Sequence, residues 1–129
     1  MARILIIDDD EDWLVFVTKL LETAGHTPLP LLKAKGMMEE IDRHNPEVVI
    51  TDIMMPGETG SAIYGRIRTT GHNGLPVIVC SSTRLKVRGD DKLLFHCQKQ
   101  DAPEHLVDVV NVALKAAAAG QATEEGVVI

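Results

Sequence analysis

The sequence predicts a doubly wound α/β domain, with one five-stranded parallel sheet and helices on both of its faces. Short runs of branched apolar residues alternate with segments of helical period along most of the chain, the pattern of repeated βα units. The runs "RILII", "EVVITD" and "LPVIVCSS" are almost continuously apolar before their polar ends, as strands covered on both faces require. Right-handed crossovers between such parallel strands distribute the helices to the two sides of the sheet.

"RILII" is the first strand. Trp13, Phe16, Val17, Leu20, Leu21 and Ala24 then recur at helical spacing, which predicts an amphipathic helix with Trp13 in its buried stripe. Gly25 ends that helix in the C′ role. "HTPLPLL" reads as an edge strand, because Pro28 and Pro30 cannot donate to a ladder. A helix around Met37, Met38 and Ile41 stops before Pro46. "EVVITD" is the next strand, followed by the turn "MMPGETG" and a helix carrying Ile63 and Ile67. After "LPVIVCSS", the segment "TRLKVRGDD" supports a short helix broken at Gly89, and "KLLFHC" is the fifth strand. Leu106, Val109, Val110, Ala113, Leu114 and Ala117 mark the last helix, with Asp101 or a neighbour as its cap and Pro103 in its first turn. Residues 120–129 are expected to form a loose tail, which leaves residues 1–119 as one domain.

Composition narrows the class. The 129 residues are 45% hydrophobic and 25% charged, the range of ordinary globular domains rather than disordered or membrane-spanning chains. No apolar run reaches the roughly 18 residues of a membrane span, and "MARILII" turns acidic too soon for a signal peptide. A cytoplasmic protein without membrane insertion is expected. Cys80 and Cys97 are the only cysteines and are expected to be reduced and buried. The five histidines are dispersed and make no zinc-ligand spacing with either cysteine. A formal charge of −6 disfavours direct nucleic-acid binding. The basic island "RLKVR" reads best as a solvated face.

In a doubly wound sheet, ligands bind outside the carboxyl ends of the strands. Those ends carry Asp8, Asp9 and Asp10 after the first strand, Asp52 after the third, Cys80, Ser81 and Ser82 at the fourth, and Lys99 after the fifth. Singly, each has an ordinary explanation as a cap, a turn residue or a solvated charge. Together they form a chemical set. Clustered carboxylates suit a hard divalent cation, which leaves coordination positions for water and phosphate oxygens. A hydroxyl and an ammonium suit an incoming phosphoryl group, and a charge-shielded carboxylate can act as its nucleophile. Glu11 and Asp12 fit the negatively charged first turn of the following helix. Met37, Met38, Met54 and Met55 fit packing and turns better than sulfur ligation.

On "ILIIDDDED", "VVITDIMMPGETG", "LPVIVCSS" and Lys99, the chain resembles the response regulator receiver domains of two-component signalling, from about Arg3 to Ala117. The resemblance implies the flavodoxin-like strand order 2-1-3-4-5. It makes Asp52 the phosphoacceptor and Asp8 with Asp9 the acid pair for Mg2+ (or Mn2+), with Asp9 the more direct ligand. Asp52 itself and the backbone carbonyl of Met54 would complete the protein ligands. Ser81 falls at the hydroxyl position and Lys99 at the lysine position that meet the phosphoryl group. Implied partners are a sensor histidine kinase or phosphotransfer protein, an unidentified output protein and, on phosphorylation, a second copy of the chain. Output would pass through the face formed by the fourth helix, fifth strand and last helix, with Ser81 and His96 as switch residues. Such a domain catalyses its own phosphotransfer and slow hydrolysis without being a metabolic enzyme.

Four features depart from the family. His96 stands where a Tyr or Phe is usual and brings a near-neutral pKa, although a partly exposed strand histidine is an equally good reading. Gln100 replaces the usual proline after the lysine, and Ser82 a small apolar residue. Residues 82–98 give an unusually short interval between Ser81 and Lys99, so the fourth helix is expected to be short or irregular. These departures support an alternative, a degenerate receiver that docks or dimerises independently of phosphorylation. A Mg2+-dependent phosphohydrolase ranks last, because Met54 stands where a general acid would be needed.

Overall fold

The computed structural model describes residues 2–55, 57–82 and 91–128, with backbone alone at 54, 58 and 120–128. The main sheet contains β1 (Arg3–Ile7), β2 (Thr27–Leu31), β3 (Val48–Thr51), β6 (Val77–Ser81) and β7 (Leu94–Gln98). All neighbouring pairs are parallel, in the order β2-β1-β3-β6-β7. Counting only these five strands gives the expected 2-1-3-4-5. The proline-bearing β2 lies at one edge and β7 at the other.

Successive residues of β1 point to opposite faces. Ile4 and Ile6 pack with Leu14, Val17 and Leu21 of α1 (Glu11–Thr23), and with Leu106, Val110 and Ala113 of α4 (Ala102–Val128). Leu5 and Ile7 pack with Met37 and Ile41 of α2 (Met37–His44), and with Ile63 and Ile67 of α3 (Gly60–Thr69). β1, β3 and β6 contribute to both cores, which explains their continuous apolar runs, whereas the edge strand β2 contributes Leu29 and Leu31 to one. Cys80 and Cys97 are in-register neighbours on β6 and β7, buried and free. Hydrogen bonding with Cys97, together with burial, pushes the Cys80 thiol far above its usual range, so it remains a protonated packing group.

Two expectations need correction. The buried line of α1 runs through Leu14, Val17 and Leu21, while Trp13 is half-buried, Phe16 is 37% exposed and Ala24 is exposed. The buried face is rotated toward Leu14 relative to the six-residue stripe, so Trp13 and Phe16 are left at its rim, with ring centroids 5.4 Å apart. The last helix continues through the expected tail to Val128; the high helix propensity of Ala116–Ala119 favours the extension, and Gly120 and Gly126 oppose it. Asp101 belongs to a 3-10 turn, Lys99–Asp101, that leads directly into α4. Within "MMPGETG" the structure adds a small antiparallel pair, β4 (Met54–Met55) with β5 (Glu58–Thr59). The expected short fourth helix and the basic island fall on residues 83–90, outside the described residues.

No helix among the described residues is long and apolar enough to cross a membrane.

Candidate functional site

The five acids after β1 separate by position. Asp8 is only 2% exposed; its backbone N–H donates to Leu31 O across the sheet at 3.1 Å. Its Oδ1 accepts from the Asp10 backbone N–H at 3.0 Å, which turns the chain sharply past the strand end. Asp10 caps α1, its Oδ1 accepting from Trp13 N at 3.2 Å. Glu11 and Asp12 occupy the first helical turn, where the dipole favours acids.

Asp52 follows β3, and its N–H donates to Ile7 O at 3.1 Å, bringing the ends of β1 and β3 level. One carboxylate oxygen from each of Asp8, Asp9 and Asp52 lies within 4.8 Å of the other two. Lys99 completes the group: its Nζ is 2.8 Å from Asp8 Oδ2 and 3.5 Å from Asp52 Oδ2. The same ammonium sits 5.2 Å from the centroid of the Trp13 ring, within reach of a cation–π attraction.

Electrostatics follow from this packing. Burial raises the Asp8 pKa and the Asp52 charge adds to the rise, against the lowering effects of Lys99 and the Asp10 N–H. Burial alone would lower the Lys99 pKa, but its hydrogen bond to Asp8 and the charges of Asp8 and Asp52 carry it above the usual value. The pocket is therefore acid-rich, and the Lys99 ammonium ties Asp8 to Asp52. Three close carboxylates with hard oxygen donors fit a divalent cation of the Mg2+ type.

Main-chain atoms around Asp52 are restrained as closely as its side chain. Its Oδ1 accepts from Ile53 N at 2.8 Å, and its carbonyl accepts from the buried Thr51 hydroxyl at 3.0 Å. Gly60 opens α3 directly against it: its N–H donates to Ile53 O at 2.5 Å. A Cβ on Gly60 would lie 2.7 Å from the Asp52 carbonyl oxygen and 3.0 Å from Ile53 Cα. Thr59 caps the same helix through Oγ1, which accepts from Ala62 N at 3.1 Å.

At the neighbouring strand ends, Ser81 is buried and its Oγ lies 3.3 Å from His96 Nε2. Burial lowers the His96 pKa below its usual value, so the imidazole is neutral at pH 7. Met54 opens β4, two residues past Asp52.

Sequence reasoning missed three supports of the site. Gly60 lies in the quoted "MMPGETG", but its role requires knowing that α3 turns back onto Asp52. Trp13 packs against the core as a half-buried ring, and its further contact with the Lys99 ammonium is invisible in the sequence. Asp91, part of the charged "RGDDK", accepts from Arg68 Nε at 2.7 Å and from the Tyr64 hydroxyl. Arg68 also donates to the carbonyls of His72, Leu75 and Leu93 at 2.9, 2.6 and 3.3 Å. Although burial opposes it, hydrogen bonding by Tyr64 and Arg68 holds the Asp91 carboxyl below its usual range. This node ties the end of α3 to the entry of β7, the strand that delivers His96 and Lys99.

The parallel sheet in this order, with carboxylates at adjacent strand ends and a lysine across from them, is a flavodoxin-like arrangement with an acid-rich rim. The model of the response regulator receiver domain matches residues 4–111, and the chain belongs to that family, a family of two-component signalling domains rather than classical enzymes. It is 32% identical over 83 residues to protein PilH of Pseudomonas aeruginosa, covering 64% of this chain and 69% of that protein. It is 31% identical over 83 residues to the sensory/regulatory protein RpfC of Xanthomonas campestris, covering 62% of this chain and 11% of RpfC. The chain thus matches only about a tenth of that relative's length. Among solved structures, the chemotaxis protein CheY4 of Vibrio cholerae shares the fold with a TM-score of 0.79 at 19% identity, over 88% of this chain and 99% of that one. A Francisella receiver domain shares it with a TM-score of 0.74 at 24% identity, over 89% and 98%.

Proposed function

We propose that this receiver domain accepts a phosphoryl group on Asp52 from a histidine kinase or phosphotransfer protein. The observation that carries the proposal is the contact group at the strand ends, in which three carboxylates lie together and the Lys99 ammonium bridges Asp8 and Asp52. An Asp52 carboxylate oxygen forms the bond to phosphorus as the bond to the donor's imidazole nitrogen breaks. Asp8, Asp9, Asp52 and the Met54 carbonyl would hold Mg2+ (or Mn2+), which supplies charge neutralisation at the attacking and transferring oxygens.

The other residues orient and respond. Lys99 already reaches Asp52, and a phosphoryl group there offers it stronger acceptors than the Asp8 carboxylate alone. The Ser81 hydroxyl would turn from His96 toward a phosphoryl oxygen, releasing the imidazole. Because Ser81, His96 and Lys99 lie on β6 and β7 or just after them, this exchange would alter the surface of β7 and α4, where an output protein or a second copy would dock. Self-catalysed hydrolysis would reset the domain. Residues 1–119 would act as the signalling unit, in the cytoplasm.

The test is incubation with an acyl phosphate, with and without Mg2+, followed by intact mass measurement. A phosphate-sized adduct that requires Mg2+ and disappears in Asp52→Asn is the expected result. No adduct at any donor concentration would favour the phosphorylation-independent docking module instead.

A further inference from the structure

A second recess opens beside the acidic pocket, with a volume of about 720 Å³. Its lining comes from three parts of the chain. The connection between β2 and α2 gives Leu32, Lys33, Ala34 and Lys35; the hairpin region gives Met55 and Gly57; and α3 gives Arg66. Asp9 and Glu11, both from the segment after β1, supply its acidic groups. Ala34 and Met55 are buried and form an apolar floor, while Lys33, Lys35 and Arg66 are exposed. A Cβ on Gly57 would meet nothing within 4 Å, so that part of the wall is open.

In a chain of formal charge −6, the gathering of three cationic side chains over an apolar floor is a local reversal of charge. The volume is far larger than a lone phosphate needs and falls within the range of small-molecule sites. Cations at the rim suit phosphate oxygens, and the floor suits a planar or aliphatic body.

We propose that this recess binds a nucleoside phosphate, with its phosphates on Lys33, Lys35 and Arg66 and its base over Ala34, Met55 and Leu32. This ligand is separate from the phosphodonor of Asp52, and binding does not depend on phosphoryl transfer.

The experiment titrates the full chain carrying Asp52→Asn, in metal-free buffer, with ADP, adenosine and pyrophosphate. Calorimetry reads affinity, and backbone amide shifts read location. This arrangement separates the proposal from phosphoryl acceptance, because the variant cannot be phosphorylated on Asp52. ADP is expected to bind more tightly than either fragment and to shift the amides of residues 32–35, 55 and 57. Lys33→Glu with Lys35→Glu, and separately Arg66→Glu, should each weaken ADP at least about tenfold, the worth of one charge-assisted hydrogen bond. These side chains are exposed, and unchanged circular dichroism would verify the fold of the variants. The proposal is overturned by no binding at millimolar ADP, by pyrophosphate binding as tightly as ADP, by indifference to charge reversal, or by shifts confined to other residues.

Discussion

Gly60 offers a sharp test of how the fold positions Asp52. Replacing it with alanine puts a Cβ 2.7 Å from the Asp52 carbonyl oxygen, whereas ordinary contact begins at 3.4 Å. The atoms must therefore separate by 0.7 Å, the difference between those two distances. Both close neighbours are backbone, Asp52 O and Ile53 Cα, so no flexible side chain can yield. Overpacking of this kind costs about 1–3 kcal/mol. Gly65 in the same helix is the control, because its Cβ would meet nothing within 4 Å. Alanine there should stabilise by about 0.5–1 kcal/mol through helix propensity and reduced unfolded-state entropy. Urea denaturation of the two variants should thus differ by about 1.5–4 kcal/mol, summing the two effects. The acyl-phosphate labelling rate should fall only in Gly60→Ala, by up to about a hundredfold, since sub-ångström misplacement of a nucleophile is costly. Equal stability and equal labelling of the two variants would refute the claim that the start of α3 fixes Asp52.

The remaining predictions concern charge. Lys99→Met leaves the buried Asp8 carboxylate without its ammonium and should destabilise by about 2–3 kcal/mol, allowing for the partial exposure of Lys99; adding Asp8→Asn should restore most of that loss, which a double-mutant cycle in urea would measure. The raised Lys99 pKa gives stability that is complete below the ordinary lysine value and lost as pH rises through the folded value, so Lys99→Met should flatten the alkaline limb of stability against pH. Asp8 is also raised, so its contribution improves as pH falls through its folded value toward 3.8; Asp91 is lowered, so its contribution is present above 3.8 and lost as pH falls through its folded value. Asp8→Asn and Asp91→Asn should therefore change the acid limb in opposite directions, as thermal unfolding from pH 2 to 7 would record. The His96 ring should titrate below 6.5 by proton NMR because of its burial, and a value above 6.5 would contradict its placement.

The sheet was legible because burial on both sides of a strand leaves a continuous apolar run, and the two prolines of β2 could only be accommodated at an edge. Asp8, Asp9, Asp52 and Lys99 were legible as a group because βα alternation sends every strand end to one rim. What escaped depended on angle or distance rather than residue type. Trp13 and Leu14 are adjacent apolar residues, and only the packing of α1 on the sheet shows which is core and which borders Lys99. Asp91 lies in a charged stretch whose composition reads as solvated, yet Arg68 and Tyr64 reach it across the fold and the Leu93 N–H closes a local turn on it. Gly60 is one of ten glycines; what marks it is the Asp52 carbonyl behind it, a contact created by the turn of the chain after β5.

Of three close carboxylates, Asp52 alone is the proposed phosphoacceptor. The test is borohydride trapping of the acyl-phosphate-treated protein followed by peptide mass mapping, because reduction marks the phosphorylated aspartate itself. Modification at Asp52 alone, in the presence of Mg2+, is the expected result. A mark on Asp8 or Asp9, or equal marking of Asp52 without the metal, would contradict it.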